Sequence, residues 1–194
     1  MKKNEETEQK IIEAAYALIK AEGFEATSIK QICEKAKIAY STFYYYFPTK
    51  EYIIPKFYSR KKLFTEESFS QILAVKGAWP RLWAAHQIYI NNIYNMGPEI
   101  CAQLNRSLLV HPEADEGLEV MNHGHVLEPL IKQAQEEGDI LHTADSKEIY
   151  QCSLYLVRGI YFTWSMRRDQ FDLHKEMRRS LEVFYQLRSD LREF

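Results

Sequence analysis

Between Gly23 and Pro48 the chain restarts a helix twice within a stretch that leaves room only for short ones. Gly23 stops the preceding helix, because glycine adopts the left-handed conformation without a steric cost. Thr27 and Ser28 then reopen the chain. Ser28 with Gln31 three positions on has the capping-box spacing, in which each side chain reaches the other's backbone N–H. Ile29, Ile32, Cys33 and Ala36 form a short apolar stripe, which predicts a helix over about Ile29–Ala36. A turn at Lys37–Ala39 leads into another helix, about Tyr40–Phe47. Pro48 ends it by pushing the preceding residue out of the helical region.

Helical periodicity continues through the rest of the chain. Ahead of Gly23, Ile11, Ile12, Ala15, Leu18 and Ile19 share one face of a helix expected over Glu5–Glu22. Beyond Pro48, Thr49 is positioned to cap a long helix from Lys50 towards residue 74. Further helices are expected from Trp79 to Met96, from Pro98 to Val110, from Leu118 to Glu137, over about 145–168 and from Asp172 to Arg192. His111–Gly117 reads as a loop. No hairpin signal or sustained period-two alternation interrupts this pattern. The expectation is an all-α protein of about nine helices, three short ones forming an N-terminal domain at 1–48 and the rest a larger domain at 49–194.

The first three helices fit the helix-turn-helix pattern. Ile29, Ile32, Ile38, Phe43 and Phe47 can meet helix 1 in one small core. Tyr40, Ser41, Tyr44 and Tyr45 then fall on the opposite face, which would enter a major groove. Charge is distributed to suit a polyanion: residues 1–62 carry twelve Lys and Arg against eight Asp and Glu, while the remainder carries thirteen against nineteen. No apolar run is long enough to span a membrane, and MKKNEETEQK is too charged for a signal peptide, so a cytoplasmic protein without a membrane partner is expected. The three cysteines, Cys33, Cys101 and Cys152, form neither a disulfide framework nor a zinc pattern.

The stretch GFEATSIKQICEKAKIAYSTFYYYFPTKEYII, from Gly23 to Ile54, resembles the DNA-binding segment of the TetR family of transcriptional regulators. Gly23-Phe24, Thr27-Ser28, Ile32, Ala36, Ile38, Thr42-Phe43-Tyr44, Tyr46-Phe47, Lys50 and Ile53-Ile54 carry the resemblance through their joint spacing. It implies a regulator that occupies a near-palindromic operator in double-stranded DNA as a homodimer and is released by a small-molecule effector. A repressor is the commoner case, and an activator, or a regulator without a ligand, is the alternative. The resemblance also implies that Lys30 reaches a base or phosphate, that Tyr40, Ser41, Thr42 and Tyr45 face bases, and that Tyr44 and Tyr46 lie at or near phosphates. Packing alone is the competing role for Tyr44 and Tyr46. Lys50 would bind phosphate with help from a helix N-terminus. Two positions depart from the family pattern: Lys37 stands where glycine is usual, and Ala39 where Ser or Thr is frequent.

The C-terminal aromatics admit two roles, filling a helical core or lining a ligand cavity. Trp83, Tyr89, Met121, His125, Tyr155 and Phe162 are the candidates for an effector site suited to an apolar or aromatic compound. Such walls offer stacking but no fixed countercharge for an anion, and a cationic ligand is also compatible with them. Dimerisation is expected through the last two helices, with Ile149, Leu156, Ile160, Leu181, Phe184, Tyr185 and Leu187 as contacts and Gly159 allowing close approach. His111, His123 and His125 lack the companions of a metal site, and no metal or cofactor is expected. No nucleophile–base pair or phosphate loop supports an enzyme or a bare scaffold as the alternative to DNA binding.

Overall fold

A computed structural model describes residues 2–59, 63–111, 123–167, 170 and 172–194. Among them the fold is all-α, with ten α-helices and no strand beyond a single antiparallel bridge between Ile140 and Leu187. The helices are α1 Lys2–Glu22, α2 Ile29–Ala36, α3 Tyr40–Tyr46, α4 Ile53–Ser59, α5 Glu66–Ala74, α6 Ala78–Met96, α7 Pro98–Val110, α8 Gly124–Glu136, α9 Ser146–Arg167 and α10 Leu173–Phe184. They divide into two compact units. The described part of the first is 2–59 with 102–111, and that of the second is 63–101 with 123–194.

The first unit is organised by α1, which buries Ile11, Ile12, Ala15 and Ile19. Helix α2 begins with the expected capping box: Ser28 Oγ accepts from the Gln31 amide, and Gln31 Oε1 accepts from the Ser28 amide. Thr27 is buried and donates its hydroxyl to the Gly23 carbonyl at 2.8 Å. Ile32, Cys33, Phe43 and Phe47 complete the core, while Ile29 and Ile38 are only half-buried. Lys37 closes α2 in the left-handed conformation, φ 56 and ψ 49, and its amide donates to Cys33 and Glu34. Ala39 provides no side-chain cap for α3. Helix α4 buries Ile53 and Ile54, and its Phe57 stacks on Tyr16 of α1 with ring centroids 3.7 Å apart.

The second unit packs α6 against α8 and α10, and α9 against α8 and α10. Trp79, Leu82, Ile90, Ile131, Met177, Leu181, Tyr185 and Leu187 are among its most buried side chains. Asp139, just after α8, accepts from the Trp79 amide in the first turn of α6 at 3.0 Å. The same residue's carbonyl accepts from the Arg188 amide, and Leu141 donates to Gln186. Three helix ends are thereby tied at one point.

Three expected boundaries are corrected. Helix α1 starts near Lys2 rather than Glu5. The single helix expected from Lys50 to residue 74 is instead a 3-10 turn at Lys50–Tyr52 followed by α4 and α5, because Thr65 and Ser68 form a second capping box that starts α5 afresh. The helix expected to reach Arg192 ends at Phe184. There Gln186 turns left-handed, φ 51, and Leu187 donates back to Glu182. Residues 112–122 lie outside the described residues, and with them most of the expected loop and the start of the helix expected from Leu118.

The left-handed Lys37 yields the first prediction. A non-glycine residue there costs roughly 1 kcal/mol relative to glycine, so Lys37→Gly raises the unfolding free energy by about that amount. Urea titration of the two proteins checks the sign and size.

Candidate nucleic-acid interface and ligand site

Helix α3 spans seven residues, and its orientation is set by which of them are buried. Phe43 and Phe47 point into the first unit's core, which leaves Tyr40, Tyr44 and Tyr45 outward at 48%, 54% and 73% exposure. Ser41 is exposed beside them, and Thr42 is half-buried. The Tyr40 phenol is held above its ordinary range, first by desolvation and then by Cys33, Tyr44 and Glu34, so it remains a hydroxyl donor. Tyr45 and Tyr46 meet edge to face. Tyr46 is fastened to α1, its hydroxyl donating to Asn4 Oδ1 at 2.6 Å.

Lys30 projects from α2 into solvent, with only a 4.0 Å approach to Glu34. Lys50 is used differently from its neighbours. Its ammonium donates to the carbonyls of Phe24 and Thr27, at 2.6 and 2.7 Å, and lies 4.2 Å above the Phe24 ring. That lysine therefore pins the α1–α2 loop, with one of its three N–H groups left over. A shallow open cleft beside the α2–α3 turn is lined by Lys10, Lys35 and Lys37, together with Glu13. Lys10 and Lys35 are cationic groups that neither the helical pattern nor the family resemblance singles out. Only the fold brings α1 and the end of α2 together.

The six ligand candidates do not converge. Tyr89 is buried in the second unit, its ring 6.0 Å from His123. Trp83 instead stacks on Trp79, with the Arg178 guanidinium 4.5 Å from its ring. His125 is exposed. Tyr155 and Phe162 lie on the outer side of α9, at 71% and 41% exposure, and Met121 falls outside the described residues.

A different set gathers around Tyr89. His123 is 7% exposed, packs edge-on against Phe64 with centroids 4.8 Å apart, and leaves Nε2 buried without a hydrogen-bond partner. Arg158 of α9 likewise has a buried, unpartnered Nε. Burial raises the phenols of Tyr89 and Tyr150, and the Arg158 charge opposes the rise in both. Arg158 is a charge that the expected ligand residues did not include. Its sequence signal was present: Arg158 is the only charged residue between Glu148 and Arg167.

Residues 11–55 match the family described as "Bacterial regulatory proteins, tetR family". This chain carries a TetR-family helix-turn-helix. One relative, the uncharacterized HTH-type transcriptional regulator YuxN of Bacillus subtilis (strain 168), is 32% identical over 115 residues. That match covers 57% of this chain and 38% of the length of YuxN. The fold behind the TetR-family head is similar to that of Thermus thermophilus FadR, a TetR-family repressor solved with lauroyl-CoA. The TM-score is 0.69 at 18% identity, covering 91% of this chain and 92% of that one. It is also similar to RolR solved with resorcinol, with a TM-score of 0.65 at 14% identity, covering 95% and 88%.

Lys50 and the buried histidines can each be tested without DNA. Lys50→Ala leaves two carbonyls without their charged donor and lowers stability by about 2 kcal/mol, visible as a lower thermal midpoint. For the histidines the variable is pH. Burial pushes the imidazoles of His86 and His123 down to about 4, with His125 adding to the effect at His123. His86 is held neutral against the Tyr185 hydroxyl, 2.9 Å away. Unfolded histidines take up protons below about pH 6.5 while the folded ones do not, so stability is complete above that pH and falls towards pH 4. Each histidine accounts for about 2 kcal/mol between pH 7 and 5. Urea midpoints of wild type and His86→Gln at the two pH values measure that share.

Proposed function

We propose that this protein is a ligand-responsive transcriptional regulator, a repressor whose dimer occupies a near-palindromic operator and leaves it when a small molecule binds. The observation that carries the reading is the set of outward tyrosines on α3 within a TetR-family helix-turn-helix. DNA contact belongs to the domain at about 1–48, and effector and partner binding to 49–194. The protein acts in the cytoplasm, and among the described residues no helix is long and apolar enough to cross a membrane.

In this reading Tyr40, Ser41, Thr42 and Tyr45 meet base edges and thymine methyls, while Lys30, Tyr44 and Tyr46 meet the backbone. The remaining N–H of Lys50 is aimed at phosphate, and Lys10, Lys35 and Lys37 add charge beside it. Tyr40→Ala and Tyr45→Ala each weaken specific binding by about 1–3 kcal/mol and leave the thermal midpoint nearly unchanged. Gel shifts across a salt series, on the DNA flanking the gene and on a scrambled control, test this. Operator-like binding by both variants would remove the base contacts, and affinity indifferent to salt would remove the DNA reading.

The dimer forms through α9 and α10, on a face narrower than the sequence implied. Ile149, Ile160, Leu181, Tyr185 and Leu187 are buried within the single chain. The apolar residues left outside on α9 are Cys152, Tyr155, Gly159, Phe162 and Met166, spaced three, four, three and four apart as a helix–helix seam requires. Val183 of α10 is exposed, and Leu156 and Phe184 are half-buried. Tyr155→Asp with Phe162→Asp converts the dimer to a monomer in light scattering at micromolar concentration and weakens operator binding. A wild-type monomer, with and without DNA, overturns the assembly.

The FadR and RolR structures hold an acyl thioester and a phenol, and by that likeness the effector here is a small organic molecule with an apolar or aromatic body. Of the five sequence candidates among the described residues, Tyr89 is the one in ring contact with His123. Moving the operator-bound fraction from 99:1 to 1:99 needs an effector preference of about 5.5 kcal/mol for the released state.

A further inference from the structure

Three side-chain nitrogens in the second unit are buried without a hydrogen-bond partner: Trp79 Nε1, His123 Nε2 and Arg158 Nε. A buried polar nitrogen without a partner is costly and uncommon in folded proteins. Of these, His123 borders Tyr89 through ring contact, and Arg158 sits on α9, which packs against the helix that His123 precedes. Among the described residues no carboxylate forms an ion pair with Arg158, although Glu128 acts on the neighbouring Tyr150. Arg178, in the same unit, shows the contrasting arrangement. Its guanidinium is paired with Glu182 and Glu193 and stacked on Trp79 and Trp83, so none of its charge is left for a ligand.

Resting on the regulator reading above, we propose that the effector is an amphipathic carboxylate, its head held by Arg158 and His123 and its apolar body lying along Phe64 and Tyr89. A guanidinium matches the two oxygens of a carboxylate with parallel N–H groups, and in a dry site such a pair exceeds a neutral hydrogen bond in strength. Neutral His123 adds one donor in the Nε2–H tautomer. The aromatic surroundings supply contact area and no competing cation.

The test uses the full-length protein and four probes: dodecanoate and 1-naphthaleneacetate, each against its methyl ester. Calorimetry on wild type is expected to show each acid binding at least tenfold tighter than its ester. Arg158→Met abolishes the difference, Arg158→Lys retains part of it, and His123→Phe reduces it, with circular dichroism confirming that each variant is folded. Equal affinity for acid and ester, a preference unchanged in Arg158→Met, or no binding of either acid overturns the proposal. Operator binding is measured separately by gel shift without probe. A protein that binds the acids but not DNA keeps this site and loses the regulator reading, and one that binds DNA but neither acid does the reverse.

Discussion

A helix of seven residues does not hold its shape alone, since isolated helices below about 12–15 residues are marginal in water. Helix α3 therefore exists only as far as the first unit imposes it, and the imposition runs through Phe43 and Phe47. With those two rings buried in the first unit's core, the periodicity of the helix leaves Tyr40, Tyr44 and Tyr45 no direction but outward. The surrounding devices serve the same end. The Ser28–Gln31 box starts α2, Lys37 turns the chain at the cost of left-handed strain, and Tyr46 ties the far end of α3 back to Asn4. Lys50 closes the arrangement from below, by holding the carbonyls that precede α2.

The second unit is governed by how buried polar groups are satisfied. Asp139 accepts from the start of α6, and its backbone receives Arg188, so three helix ends are joined without an exposed orphan at that point. Arg178 and Glu182 neutralise one another, and Glu182 also accepts from the amides of Glu193 and Phe194. Burial of such a pair is weak evidence of net stabilisation, but removing one member leaves an uncompensated charge and is costly. His123 Nε2, Arg158 Nε and Trp79 Nε1 lack such partners, and the proposed ligand site takes up the first two.

Local chemistry was legible in the sequence, and tertiary arrangement much less so. Gly23, the Ser28 box and Pro48 are signals that act within four residues, and each marks the boundary it was expected to mark. The break before α5 was also written locally, in Thr65 and Ser68, but the apolar pattern running past it suggested one long helix. The end of α10 carries no such sign: Gln186 takes the left-handed turn without being glycine, because Leu187 is drawn inward and its amide returns to Glu182. Ligand residues were hardest to read. Trp83 and Tyr155 are aromatic like Tyr89, yet one packs near Arg178 and the other faces outward, and only helix packing separates them.

Helix α9 explains why that separation fails from periodicity. One side buries Ile149, Ser153, Val157, Ile160 and Trp164, and the other exposes Cys152, Tyr155, Gly159, Phe162 and Met166. A helix apolar on both sides carries no amphipathic signature, and in water its second face calls for a partner. Arg158 is the interruption in that pattern, placed next to Gly159 of the outer seam. The outer face and the unpartnered Arg158 Nε are thus carried by consecutive residues of one helix. In the proposed regulator, a ligand drawing Arg158 towards Tyr89 would pull on the helix that presents the outer face. Coupling between effector and dimer then needs no long relay, only a rotation or shift of α9 that the two sites favour to different degrees.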